Sequence, residues 1–206
     1  TSGFAACGSG GTVLTAATGL SWTSRSTGVS FTLQDVAIAG GLYVVVGGAG
    51  MVVTSPDAVA WSVRDVGVTA DFSGIARGDG LYVAVGRAGA VVTSPDGISW
   101  TTEFSGVPLY LLDVAYGGGK YVAVGIAGTV ITSPDGSTWT YRSSGTTKAL
   151  SGVAYGGGKY VAVGTGPTVL LSSDGVSWLA QDSRVDTDLY AVAYGNGRFV
   201  AVGVEG

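Results

Sequence analysis

An all-β fold, built from repeated four-stranded antiparallel units, is what this sequence predicts, and three observations predict it. The five tryptophans Trp22, Trp61, Trp100, Trp139 and Trp178 stand 39 residues apart. The same step links Val36, Ile75, Val114, Val153 and Val192, and again Gly8, Gly47, Gly86, Gly125, Gly164 and Gly203, with no insertion or deletion between them. Residues 114–125 (VAYGGGKYVAVG) recur letter for letter as residues 153–164. A fixed period of this length marks an array of identical supersecondary units.

Within each period the elements follow in a constant order. Strand A is the LxxVAYG segment, as at residues 111–117. The turn after it carries Asp79-Gly80 in one copy and Asn196-Gly197 in another, dipeptides suited to a two-residue hairpin in which both central residues need positive φ. Strand B, YVAVG at residues 121–125, is apolar on both faces, so it should be covered on both sides. A GxxG link leads to strand C, TVITS at residues 129–133. A second tight turn at Asp135-Gly136 then leads to strand D from Trp139. No 3.6-residue apolar stripe follows any helix cap. Units of this kind bury both sheet faces against their neighbours, which predicts a five-bladed β-propeller. The alternative, a β-solenoid, uses shorter coils of parallel strands without hairpins.

The two ends bear on closure. Strands A, C and D occur five times, but B occurs six times, with copies at both 4–7 and 199–202. Residues 189–206 supply A and B, and residues 1–24 supply C and D. The expectation is therefore a single domain, 1–206, closed by one blade shared between the two ends. That closure removes the exposed sheet edges of an open array. The Phe4 copy of strand B should then be displaced. If both copies are used, the chain is part of a longer protein or exchanges a strand with another molecule.

Composition narrows the chemistry. The 206 residues contain no His and one Cys, so there is no imidazole base, no His-ligated metal and no intramolecular disulfide. Charged residues make up 12% and the net charge is -4, without the basic stripe that a nucleic acid requires. Apolar runs are short and broken by Gly, so membrane insertion is not expected and no signal peptide is visible. No cofactor or metal is implied. Low charge and abundant Gly, Ser and Thr suit an extracellular, surface or virion setting.

The C–D turn carries one pattern: Ser-Pro-Asp-Gly-x-x-Trp at residues 94–100 and 133–139, with small changes at 55–61 and 172–178. It resembles the Asp-box, or BNR, repeat of sialidase-type and photosystem-assembly-type propellers, one residue shorter between Asp and Trp than the common form. In the first copy Thr18 stands where Asp belongs and Ala16 where Ser belongs. Identical chemistry around a ring reads as framework, so Asp57, Asp96, Asp135 and Asp174 should bind turn N–H groups. Trp61, Trp100, Trp139 and Trp178 should pack on the blade with the indole N–H on a carbonyl. Sialidase chemistry needs an arginine cluster and a Tyr/Glu pair. The only glutamates here are Glu103 and Glu205, and Glu103 occupies a strand D position held by Arg25, Arg64 and Arg142 in other copies. The expectation is a protein that is not an enzyme.

Differences between copies locate candidate function. They concentrate in the D–A connections and the B–C links, which share one face of a propeller, whereas the A–B and C–D turns lie on the other. Candidate ligand-binding residues on the varied face are Asp71, Arg87, Tyr110, Lys148, Asp186 and Asp188. Drift in exposed loops is the competing explanation. Asp35 and Asp113 begin strand A near the channel and read as strand caps. Tyr43, Tyr82, Tyr121 and Tyr160 read as packing between blades, and Cys7, where the repeat has valine, as a buried thiol. The functional expectation is a non-catalytic recognition or scaffold propeller, with a glycan as favoured ligand in shallow grooves between blades, acting as a monomeric closed ring. A structural or protein-interaction disc is the alternative, and a glycosidase the minor one.

Overall fold

Strand B accounts for most of the interior, because its alternating valines meet a neighbouring sheet on each side. The computed structural model describes residues 3–204. Its strands fall into six antiparallel sheets in chain order. The first holds β1 (Phe4–Cys7), β2 (Thr12–Ala16) and β3 (Thr23–Ser26). Four complete blades follow: β4 (Leu33–Ala39), β5 (Leu42–Gly47), β6 (Val52–Ser55) and β7 (Ser62–Arg64); then β8 (Phe72–Gly78), β9 (Leu81–Gly86), β10 (Ala90–Ser94) and β11 (Thr101–Phe104). The next are β12 (Leu111–Gly117), β13 (Lys120–Gly125), β14 (Val130–Ser133) and β15 (Thr140–Arg142); then β16 (Leu150–Gly156), β17 (Lys159–Gly164), β18 (Thr168–Ser172) and β19 (Leu179–Gln181). The chain ends on the hairpin β20 (Leu189–Gly195) and β21 (Arg198–Gly203).

Successive sheets pack face to face, and each junction forms its own apolar layer. Val122, Val124 and Val130 of one blade meet Leu150, Val153 and Tyr160 of the next. Val44, Val46 and Val52 meet Phe72, Ile75 and Tyr82 in the same way. Tyrosines fasten these layers at one end. The Tyr121 hydroxyl donates to the Gly78 and Leu81 carbonyls of the preceding blade, and Tyr160 to those of Gly117 and Lys120. Glycine is required where the rings cross: a Cβ on Gly117 would stand 2.0 Å from the Tyr155 ring.

Each inner strand carries a bulge at one position, between Leu33 and Asp35 in β4 and between Leu111 and Asp113 in β12. The extra residue re-aims the side chain that follows it. Asp35 accepts from its neighbour Val36 N and, across the blade junction, from Ile75 N, both at 2.8 Å. Asp113 repeats this with Val114 N at 2.7 Å and Val153 N at 2.8 Å. These carboxylates cap their own strand, as expected, and also tie it to the next blade. Burial is the leading cause that pushes both upward, Asp35 to about 6 and Asp113 to about 7, with the Asp35 charge adding to Asp113.

The expected closure through a shared blade of residues 189–206 and 1–24 does not occur in this structure. β2 pairs with β1, not with β21, in the register Phe4↔Ala16 to Cys7↔Val13. Among the described residues β21 pairs only with β20. Inner strands touch consecutively from β4 through β8, β12 and β16 to β20, and no comparable contact returns from β20 to β4 among the described residues. The reason lies in chain connectivity. β1 is joined to β2 by a four-residue link, so its pairing costs far less loop-closure entropy than that of a strand almost the whole chain away. The Phe4 copy is therefore used, not displaced. Residues 1, 2, 205 and 206 of the expected shared blade, Glu205 included, lie outside the described residues.

Candidate functional site

The two faces of the array differ in what their backbone needs. At the C–D turns, Asp135 Oδ1 accepts from Ser137 N (2.9 Å) and Thr138 N (2.7 Å), and the Ser133 hydroxyl donates to it at 3.0 Å. Asp57, Asp96 and Asp174 make the same turn. Backbone N–H donation holds all four carboxyls below the usual range, Asp174 at about 2. Gly136 takes φ +77 there, facing Leu81 and Val83 of the preceding blade. The indoles of Trp100 and Trp139 donate to the Gly97 and Gly136 carbonyls at 3.2 and 2.8 Å. Those of Trp61 and Trp178 are buried without such a partner, so this expected bond forms in only part of the series.

On the opposite face the D–A connections hold the B–C links. Arg87 N donates to the Asp71 carbonyl at 2.8 Å, Ile126 N to that of Tyr110 at 3.0 Å and Val204 N to that of Asp188 at 3.0 Å. Asp71, Tyr110 and Asp188 are thus one position of the repeat. Asp71 Oδ1 accepts from Ala49 N at 2.8 Å, and its other oxygen lies 3.7 Å from Arg87, the one ion pair among the described residues. Asp188 Oδ1 accepts from Gly166 N at 2.7 Å, and Lys148 lies over the same glycine. The six candidates therefore sit at separate junctions: Asp71 with Arg87, Lys148 with Asp188, and Tyr110 between these pairs. Asp186 is exposed in its loop. Among the described residues no three His, Cys, Asp or Glu side chains gather in a cation-holding arrangement.

A groove of about 540 Å³ opens on this face beside Arg87. Its floor is apolar, formed by Val68, Ala70, Val91, Val107 and Pro108, with Arg87 and Glu103 as its charged members. Glu103 accepts from the Thr93 hydroxyl at 2.9 Å, whereas Arg25, Arg64 and Arg142 donate from Nε to Thr15, Thr54 and Thr132 at the matching places. Phe104 follows at the end of β11 and is 85% exposed. At the same repeat position the other copies carry Ser26, Asp65, Ser143 and Asp182. Only this copy combines an exposed aromatic ring, a reversed charge and the apolar connection Val107-Pro108-Leu109-Tyr110.

Phe104 and Glu103 were not among the residues singled out by loop variability. The signal was present in the repeat register, since Phe104 breaks an otherwise Ser/Asp column. It fell in a strand that reads as scaffold.

A second hollow, about 510 Å³, lies between the first sheet and its neighbour, lined by Thr15, Ser21, Thr23, Arg25, Tyr43 and Asp57 among others. It is the more polar of the two.

No protein-family model matches the chain, and no curated protein does. Solved structures do. A structure of YCF48 bound to D1 peptide superposes with a TM-score of 0.75 at 17% identity, covering 98% of this chain and 71% of that one. YCF48 from Cyanidioschyzon merolae gives 0.69 at 17% identity, with 93% and 72% covered. The WD40 β-propeller domain of Doa1 gives 0.68 at 12% identity, over 85% of this chain and 63% of that one. At these identities the likeness is one of fold: the chain is an all-β propeller array.

Proposed function

We propose that this chain is a non-catalytic recognition scaffold that binds an extended protein segment in the groove beside β11. The observation that carries the reading is Phe104, an exposed aromatic ring at the rim of an apolar groove, in the one copy that departs from its fellows there. A large apolar side chain left in water has no folding rationale when four equivalent positions are Ser or Asp. Aromatic anchors beside a pocket are where binding energy concentrates in protein interfaces. Arg87 and Glu103 offer one charge of each sign along the groove, suited to fixing the direction of a bound segment. The comparison structure of YCF48 holds a peptide, which supports the class of ligand without assigning it.

The absence of histidine and the repetition of the Asp turns support a non-enzymatic role. The resemblance of those turns to Asp-box propellers, and an extracellular or surface setting, stand as parts of the same proposal. A glycan remains the second reading, favoured by the hydroxyl-lined hollow at Thr15, Ser21 and Thr23. Selection from a displayed peptide library, run beside a glycan array, separates the two. Peptides with a central apolar residue should bind, and Phe104→Ser, which restores the residue of two other copies, should weaken them at least tenfold at unchanged Tm. Binding that survives Phe104→Ser, or hits on glycans alone, would refute the groove reading.

A further inference from the structure

The chain binds a carboxylate on its own B–C link in two places. Asp71 Oδ1 accepts from Ala49 N at 2.8 Å, and Asp188 Oδ1 accepts from Gly166 N at 2.7 Å. Ala49 and Gly166 are one position of the repeat, left-handed at φ 57 and 61. Successive N–H groups around such a residue form a concavity suited to an anion. A cation stands by each time. Arg87 lies 3.7 Å from the second oxygen of Asp71, and Lys148 Nζ comes within 3.3 Å of where a Cβ on Gly166 would stand.

The blade of β8 to β11 has the same link without the carboxylate. Ala88, one period after Ala49, is left-handed at φ 56 and exposed. One period after Asp71 stands Tyr110, which has no acid to offer. Ala88 lines the groove together with Arg87 and Phe104. In the next blade Ala149 follows Tyr110 in register, so Ala127 also lacks an acid, but Ile126 stands there in place of Arg87. Only the groove copy joins a vacated link N–H to a neighbouring cation.

We propose that the segment bound in this groove carries a carboxylate, seated on the Ala88 N–H beside the Arg87 guanidinium. This rests on the groove reading above and adds what is recognised next to the apolar residue at Phe104. A charged acceptor makes the stronger bond to a backbone N–H. An apolar rim alone takes any apolar segment, whereas a second fixed point of opposite charge selects among them and sets their direction. Glu103 does not occupy the cation: its carboxylate accepts from the Thr93 hydroxyl, and Arg87 pairs only with Asp71 among the described residues. Both members of that pair are exposed, at 69% and 41%, so Arg87 is free to turn to a ligand. An Asp or Glu side chain and the carboxylate of a chain terminus share this chemistry.

The test offers the full chain a displayed library of short peptides with a central Leu. Recovered peptides are synthesised with free and amidated C-termini, and with each Asp or Glu replaced by its amide, and affinities are read by calorimetry. Removal of one carboxylate should weaken binding roughly tenfold. Loss on side-chain replacement marks an Asp or Glu, and loss on amidation marks a terminus. Tyr110→Asp, which fills the Ala88 N–H from within the chain, should abolish that preference at unchanged Tm, and Arg87→Gln should lower it. Tyr110→Ala should keep it, which separates the added carboxylate from the lost ring. Peptides that need Phe104 but show no carboxylate preference, or a preference undiminished by Tyr110→Asp or Arg87→Gln, overturn this inference and leave the groove reading standing. Failure to recover any peptide, or binding indifferent to Phe104→Ser, overturns both.

Discussion

Asp113→Asn should change how stability depends on pH. The Asp113 carboxyl is pushed from an ordinary 3.8 to about 7, chiefly by burial and then by the charge of Asp35. Between these values the folded chain holds a proton that the unfolded chain has released, so stability falls as pH rises from about 4 through about 7. Three units at 1.36 kcal/mol each set a ceiling of about 4 kcal/mol. The residue keeps partial exposure, which reduces the expected loss to about 2 kcal/mol. Asparagine cannot titrate, but its single acceptor oxygen serves only one of the Val114 and Val153 N–H groups. That costs about 1 kcal/mol at every pH. The variant should therefore be less stable than the parent at pH 3.5, where both states hold the proton, and more stable than it at pH 8. Urea unfolding at both values reads this directly. A constant difference between parent and variant from pH 3.5 to pH 8 would refute the assignment of the shifted carboxyl to Asp113.

Two other substitutions probe the framework. Tyr121→Phe removes the hydroxyl that reaches the Gly78 and Leu81 carbonyls across a blade junction and should cost about 1–2 kcal/mol in chemical denaturation; a neutral result would mean the junction does not depend on that bond. Asp135→Ala removes two turn N–H acceptances and should cost about 1 kcal/mol near pH 7, at the low end because the turn is exposed. Since the folded carboxyl titrates below its unfolded value, this contribution is present above about pH 4 and is lost as pH falls through the folded value, so parent and variant should converge in acid.

Much of this molecule is legible in its repeat. The 39-residue step fixes strand order and hairpins, and the phase of Tyr82, Tyr121 and Tyr160 places them between blades. Local chemistry decides these features, and each copy repeats the evidence. Closure was not legible, because it depends on which of two equivalent strands takes the β2 edge. Strand count showed that β1 and β21 compete for β2, but not that the nearer one would win. The groove was half legible: variability found Arg87, while Phe104 lay one residue outside the loops and needed its 85% exposure to stand out.

The central claim, interchangeable blades that each contact only their neighbours, is tested most directly by removing one period. Deletion of residues 114–152 joins Asp113 to Val153 and leaves the local sequence at the junction unchanged, because Val153 follows as Val114 did. A linear array predicts a chain that still folds, with a cooperative thermal transition and an undiminished β signal per residue in circular dichroism. A chain that fails to fold after this excision would show that the blades depend on a closed whole.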